Sequence, residues 1–306
     1  MIKRLAGKIS SSPTFMSWLN QFTMFVHGLF ITSLILIKFP NLEYSFWMLL
    51  KTLTAFGILA EAGLGKTIER SVAFFFTGAS KLPRNKKEYS AFDEKEGGAN
   101  LPQMAQLLYT TKYIYLILSG VAVLLLTTAG LAFLWNLLSQ SQHDYRLWIA
   151  FGLMIFQSSI MLQTIKWKSF MTGTRHLVQS YRLNTIMSVI RIFGFLTILL
   201  GVLGVTHLMA YLVLEQSFVY FYYRRFMTRW FRSNNYPLKN SFRFNKDIFS
   251  SLWSVSWKSG LNTWGFFFSN RGVELITSQL KDNALIASFV FTNNIWRFIG
   301  SFVQSS

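Results

Sequence analysis

The sequence predicts an all-α polytopic membrane protein, a bundle of transmembrane helices, on three observations. Of its 306 residues, 52% are hydrophobic and only 14% are charged, whereas soluble domains usually carry about 25% charged residues. Apolar runs of about 20 residues, the length that spans a bilayer, recur along the chain. The basic residues are concentrated on one side of these runs. Together these features favour a lipid environment over a water-exposed domain.

About eight apolar runs qualify as membrane spans. They are 15–37, 45–62, 113–138, 147–165, 183–205, 207–223, 249–276 and 284–303. The third is nearly uninterrupted in YLILSGVAVLLLTTAGLAFLW. On this division, 1–223 form a six-helix lobe, 224–247 form a basic cytoplasmic linker, and 248–306 form the first two helices of an incomplete second lobe.

The charge distribution predicts the orientation. If the N-terminus faces the cytoplasm, the inner segments are 1–14, 63–112, 166–182 and 224–247, and they hold most of the 30 basic residues. Lys and Arg collect in the cytoplasmic loops of membrane proteins. We therefore expect a multi-pass membrane protein with a cytoplasmic N-terminus. The same rule explains the net charge of +18 without a nucleic-acid partner.

Several chemistries find no support in the residues. The chain has no Cys and only four scattered His, so we expect neither disulfides nor a metal site. GLGKT at 63–67 resembles part of a phosphate-binding loop, but Ala60 stands where that motif needs Gly, and a helix precedes it. We expect Gly63 and Gly65 to loosen the helix end, and KTIERSVAFFF to continue as an amphipathic helix. With no catalytic constellation and no cofactor motif, we expect no enzyme.

Ionisable residues inside the predicted helices are the candidate functional residues, because a charge at mid-bilayer costs at least about 2.5–3.5 kcal/mol. Lys51 has an alternative in snorkelling to the interface, and Glu61 and Glu215 have one in pairing with a neighbouring helix. Arg297 lies near the midplane, where a solvated cavity is favoured. The full set is Lys51, Glu61, Arg191, Glu215, Lys258, Arg271, Glu274 and Arg297, with His27 and His207 as weaker members.

Amides crowd the last two predicted helices, at Asn262, Asn270, Asn293 and Asn294. A single amide side chain commonly forms a hydrogen bond between helices. Because the four amides are gathered around Arg271 and Arg297, they favour a water-filled chamber, a cavity lined by cationic side chains. Such a chamber suits an anionic substrate, above all a phosphate or pyrophosphate group that Arg binds through two hydrogen bonds.

Three stretches carry a resemblance to a known family. They are AEAGLGKTIERSVAFFF (60–76), FMTGTRHLVQSYRLNTI (170–186) and SWKSGLNTWGFFFSNRGVELITSQLKDNALIASFVFTNNIWRF (256–298). The chain resembles the polysaccharide-export branch, the O-antigen flippases, of the multidrug/oligosaccharidyl-lipid/polysaccharide exporter superfamily. The resemblance spans nearly the whole chain through loose patterns and topology. It implies a MATE-like fold of two six-helix lobes, so a chain that stops at Ser306 is expected to be C-terminally truncated.

The resemblance also implies a function. An alternating-access flippase would carry an undecaprenyl-pyrophosphate-linked oligosaccharide across the inner membrane for O-antigen, lipopolysaccharide or capsule assembly. Its partners would be the bilayer, the lipid-linked cargo and the polysaccharide polymerase and export machinery. Arg271, Arg297 and Lys258 would attract the pyrophosphate, with Lys66 and Arg70 near the inner entrance. Candidates for ion coupling are Glu61, Glu215 and Glu274.

Three alternatives stay open at this stage. A MATE-like antiporter of cationic drugs would need an acidic chamber, whereas the residues inside the helices here lean basic. A membrane-embedded glycan-processing enzyme would need a larger catalytic loop than the short outer turns allow. A subunit that transports only with a partner is the third.

Overall fold

The computed structural model describes residues 12–61, 63–82, 98–140, 145–201, 203–238 and 243–277, with 288, 289, 292, 293 and 296. Every regular element in these ranges is helical, and they contain no strand. The predicted all-α class is therefore confirmed. Arg297 and most of the eighth predicted span, 284–303, lie outside the described residues.

Nine α-helices follow one another along the described chain. A π-helical turn, His27–Ile31, joins the first two, and a 3-10 turn, Leu59–Glu61, follows the third. The helices are α1 Pro13–Val26, α2 Thr32–Lys38, α3 Asn41–Ile58, α4 Leu64–Phe76, α5 Leu101–Gln140, α6 Tyr145–Gly173, α7 Leu177–Leu200, α8 Val205–Ser233 and α9 Lys246–Thr277.

Three of these helices are long and apolar enough to cross a membrane, over Leu101–Trp135, Tyr145–Gly173 and Leu177–Leu200. A fourth is added if α3 with its 3-10 turn and α4, which are bent by 47° at the break between them, form one span. This is the make-up of a helical membrane protein, and the described residues contain three or four such spans and not the eight predicted for the whole chain. The π-helical turn divides the first predicted span into short helices, and α8 and α9 are long but less apolar.

Two predicted cytoplasmic segments are largely helical. The helix α6 continues to Gly173 and α7 begins at Leu177, so a three-residue turn replaces most of the expected loop 166–182. The helix α8 runs to Ser233, well into the expected linker 224–247. Helical structure thus extends further into both segments than the hydropathy indicates, because hydropathy marks where a helix leaves the lipid and not where it ends. The 40 residues of α5 extend for about 60 Å, twice the thickness of the hydrocarbon layer.

The bundle has two apolar cores, one toward each end. At the short-loop end, where 39–40 and 201–204 connect helices, the core contains Tyr44, Trp47, Leu126, Phe151 and Phe195. At the basic end, where α6 turns into α7, it contains Ile68, Leu108, Phe170, Tyr223 and Phe231. Polar residues lie between the two cores, on α6, α7 and α8 and at the break between α3 and α4. We call this zone the polar layer; it includes Glu61, Gln157, Arg191, Glu215 and Gln216.

The helix break at Glu61 lies in the polar layer. Gly63 has a φ of 72° and begins α4, and a Cβ atom there would lie 2.6 Å from Ser259 Oγ of α9. The Trp264 indole N–H donates to the Leu59 carbonyl at 3.1 Å. The predictions of a loosened helix end and an amphipathic continuation are confirmed: α4 buries Ile68, Val72 and Phe75 and exposes Lys66 and Arg70.

Candidate functional site

A cavity of about 240 Å³ lies in the polar layer, between the two apolar cores. The π-helical turn and helices α3, α6, α7 and α8 line it. Its polar and charged lining residues are His27, Lys51, Thr54, Gln157, Arg191, Glu215 and Gln216. We call this cavity the polar pocket.

An ion pair forms one side of the polar pocket. Arg191 Nε on α7 donates to Glu215 Oε2 on α8 at 2.8 Å and to Oε1 at 3.1 Å, and Arg191 Nη2 also donates to Oε1. The Glu215 side chain is 5% exposed and that of Arg191 is 30% exposed. A carboxylate buried among apolar helices needs such a partner, because taking it out of water unpaired costs several kcal/mol.

The helical hairpin brings these two residues together. Arg191 lies nine residues before the end of α7 at Leu200, and Glu215 lies ten residues after the start of α8 at Val205. Because the helices are antiparallel around the short connection 201–204, both residues reach the same depth. Sequence analysis left pairing with a neighbouring helix open for Glu215, and the structure shows this pair.

Two cationic side chains line the polar pocket, Lys51 of α3 and Arg191 of α7. The described lining also contains one carboxylate, that of Glu215, which is bound to Arg191. The polar pocket is therefore a place where cationic groups from two different helices come together.

Two further lining atoms are buried without a hydrogen-bond partner among the described residues, His27 Nε2 and Gln157 Oε1. By contrast, Gln216 Nε2 donates to Thr164 Oγ1 at 3.0 Å. Buried polar atoms are nearly always hydrogen-bonded, and leaving one unpaired costs about 1–3 kcal/mol. The polar pocket thus offers hydrogen-bonding capacity to a polar guest as well as positive charge.

A second network surrounds Glu61 at the helix break. Glu61 Oε1 accepts hydrogen bonds from the Gly65 N–H at 2.6 Å and from the Tyr115 hydroxyl at 3.2 Å. The close approach requires a glycine, because a Cβ atom at position 65 would collide with the carboxylate. Gln163 Nε2 on α6 donates to the Tyr115 carbonyl oxygen at 2.9 Å, and Gln163 Oε1 accepts from Lys166 Nζ. The network connects the break with α5 and α6.

No protein-family model, curated protein or solved structure matches the chain. The resemblance to the polysaccharide exporters therefore remains a prediction from the sequence.

Of the cationic residues expected to attract cargo, the three whose side chains the structure describes, Lys66, Arg70 and Lys258, do not line the polar pocket. Lys66 is 79% exposed and pairs with Glu69 at 3.2 Å, and Arg70 is exposed on the same helix. Lys258 is exposed on α9, with its ammonium 5.8 Å from the centroid of the Trp257 ring. The side chains of Arg271 and Glu274, on α9, and the whole of Arg297 lie outside the described residues.

Sequence analysis identified Lys51, Arg191 and His27 as ionisable residues inside helices but did not assign them to a site. For Arg191 the sequence did contain a signal. Arg191 lies nine residues before the end of α7, and the oppositely charged Glu215 lies ten residues after the start of α8, on the other side of the short connection. For Lys51 and His27 no pattern in the sequence gives the neighbouring helix. Across the described ranges, no group of three or more His, Cys, Asp or Glu side chains is placed to hold a metal ion.

Proposed function

We propose that the chain is part of a membrane transporter for cargo that carries an anionic group. More specifically, it would flip an undecaprenyl-pyrophosphate-linked oligosaccharide across the bacterial inner membrane by alternating access. The observation that carries the proposal is a polar pocket between two apolar cores, lined by Lys51 and by the ion pair of Arg191 with Glu215. Charge placed at this depth is costly and is usually retained for a substrate or ion pathway.

The chemistry of the lining fits phosphate. A guanidinium binds phosphate oxygens through two parallel hydrogen bonds, and an ammonium adds a compact charge. The volume of about 240 Å³ is below the 300–1,000 Å³ of pockets that enclose drug-sized ligands. The polar pocket would therefore bind the phosphate end of the cargo, and the saccharide would lie outside it.

Glu215 competes with the cargo for Arg191. An entering phosphate would displace the carboxylate from the guanidinium, while Lys51 supplies a second cation in the lining. Return of Glu215 to Arg191 would release the anion. Glu61 has no part in this competition, because its partners are a backbone amide and a hydroxyl.

The test uses the full-length gene in its native host. The gene is deleted, and lipid-linked oligosaccharide is assigned to one face of the membrane by its accessibility to a protease-free glycosidase or to a lectin. The deletion strain is complemented with wild type, Lys51→Gln or Lys38→Gln. Lys38 is an exposed lysine at the end of α2, so its variant removes the same charge outside the polar pocket.

We expect lipid-linked oligosaccharide to accumulate on the cytoplasmic face after deletion, and we expect wild type and Lys38→Gln to relieve this accumulation. Lys51→Gln should relieve it at no more than about one tenth of the wild-type rate. Normal surface glycan in the deletion strain, with altered sensitivity to cationic drugs, would contradict the flippase and favour the antiporter. Equal rescue by both variants would contradict the role of the polar pocket.

A further inference from the structure

A groove of about 600 Å³ runs along the C-terminal part of α8, at the basic end of the bundle. Its lining residues recur every three or four positions, the spacing that places side chains on one face of a helix. We call this face the basic strip; it consists of Tyr222, Arg225, Phe226, Arg229, Trp230 and Ser233. It shares no residue with the polar pocket.

The same side of α8 is apolar toward the middle of the bundle. Leu214, Phe218 and Phe221 are 70%, 56% and 60% exposed. They precede Arg225 by eleven, seven and four residues, which are near-whole turns of the helix. Phe218 therefore lies about 10 Å from Arg225 along the axis. Large apolar side chains exposed in a row indicate contact with an apolar partner, which for a helical membrane protein is lipid in the first instance.

The basic strip has no acidic counterpart. Its lining contains no Asp or Glu, and from 216 to 238 the chain has four Arg and no acidic residue. Among the described residues, Arg225 and Arg229 take part in no ion pair. His176, which packs against the Phe226 ring, adds no charge at neutral pH, because burial lowers its pKa below the usual 6.5.

Aromatic packing fixes the strip against the bundle. The Tyr222 and Phe226 rings are stacked, with centroids 6.5 Å apart and planes at 18°. The Trp230 ring lies 6.1 Å from Phe76 at the end of α4. The backbone that carries the two arginines is thus held in place, so a ligand would order only the arginine side chains themselves.

From this arrangement we propose that the basic strip binds the phosphate headgroup of an anionic phospholipid, whose acyl chains lie along Leu214, Phe218 and Phe221. Two guanidiniums four residues apart contact the phosphate oxygens, and Tyr222, between Phe221 and Arg225, lies at the boundary between headgroup and chains, where such rings are favoured. The order along the helix, apolar and then aromatic and cationic, matches the order of groups in the lipid. The site does not depend on the proposed transport.

Lipid binding to the purified full-length protein in neutral detergent tests the proposal. Phosphatidylglycerol and phosphatidylcholine with identical acyl chains are titrated, and bound lipid is counted by native mass spectrometry. The site variant is Arg225→Gln/Arg229→Gln. The matched control is Arg224→Gln/Arg232→Gln, which removes two exposed arginines of the same helix that do not line the groove.

We expect wild type to prefer phosphatidylglycerol, and the site variant to bind it about tenfold more weakly, while the control loses no more than about twofold. Phosphatidylcholine binding should be alike in all three proteins. Equal losses in the two double variants would overturn the proposal, because they would show only a general attraction of positive charge.

Two further results would also overturn it. Competition by soluble glycerol phosphate as strong as that by the lipid at equal concentration would indicate a site for a free anion. Alternatively, the wild type could self-associate in detergent in a way that Leu214→Gln/Phe218→Gln abolishes, which would indicate that a second copy covers the apolar face. A monodisperse protein and weak competition by glycerol phosphate are the expected results.

Discussion

Glu215 and Glu61 are two carboxylates of one polar layer, and they are held in opposite ways. Glu215 is bound by a guanidinium through two nitrogens. Glu61 is bound by a backbone amide and a hydroxyl. In the first case a charged side chain is bound directly to the carboxylate, and in the second the hydrogen-bond donors are neutral groups. The two residues looked equivalent in the sequence, yet their removal should have very different consequences.

The difference shows that the contribution of a buried acidic residue to stability depends on which groups its removal would leave unpaired. Without Glu215, the positive charge of Arg191 would stay in the polar pocket without the carboxylate that binds it. Without Glu61, the Gly65 N–H and Tyr115 hydroxyl would lose an acceptor, but neither group carries a charge. Four substitutions test this comparison, from the largest expected effect to the smallest.

Glu215→Leu should lower the free energy of unfolding by about 3–5 kcal/mol, because it leaves Arg191 without its counter-charge. The double variant Arg191→Met/Glu215→Leu should recover most of this loss, since no buried charge remains. Unfolding by SDS titration in mixed micelles measures both. If the double variant were as unstable as Glu215→Leu, the pair would not be the source of the effect.

Gly63→Ala should cost about 2–3 kcal/mol, because the left-handed φ of 72° and contact with Ser259 both oppose a side chain. The matched control is Gly120→Ala in α5, where a Cβ atom meets nothing within 4 Å, and it should be neutral or slightly stabilising. The same titration compares them. Equal stability of the two variants would show that α9 does not press on the helix break.

Tyr115→Phe should cost about 1–2 kcal/mol, because it removes one donor to the Glu61 carboxylate and keeps the buried ring. In a Glu61→Gln background the same change should cost less than half as much, since the acceptor is then neutral. This double-mutant cycle isolates the hydrogen bond of 3.2 Å. Additive losses in the cycle would mean that the two side chains do not interact.

Glu69→Gln should change the free energy of unfolding by less than about 0.5 kcal/mol. Its ion pair with Lys66 is at the surface, where solvent screens the attraction and the lysine gains freedom when released. The variant therefore sets the baseline for a carboxylate outside the polar layer. A loss above 1 kcal/mol would show that Lys66 is held more tightly than its exposure indicates.

Local physical signals made part of the fold predictable. The hydrophobic runs located the helices, and the glycines of GLGKT located the break, because Gly63 tolerates a backbone conformation that other residues avoid. The helix ends were less predictable. Arg175 and Arg182 marked a basic segment in the sequence, but α6 and α7 continue through most of it and meet in a short turn.

The candidate site was predictable only by residue type. The energetic cost of burying a charge identified Lys51, Arg191 and Glu215 as candidates. It did not indicate which of them would be in contact. Lys66, Arg70 and Lys258 looked like cargo-binding cations because they are basic and near predicted helices, yet their side chains are exposed and none lines the polar pocket. Whether a basic residue faces water or a cavity depends on its neighbours across the bundle, which the linear pattern does not contain.

The sequence by itself determined that this protein is a helical membrane protein with its positive charge at one end, because hydropathy and charge are sums over neighbouring residues. Only the tertiary structure decided that Arg191 neutralises Glu215, that Glu61 rests on a backbone amide and a hydroxyl, and that Arg225 and Arg229 form an exposed strip. These outcomes depend on how helices rotate and pack against one another. A rotation of one residue, about 100° around a helix, moves a side chain from a cavity to the surface.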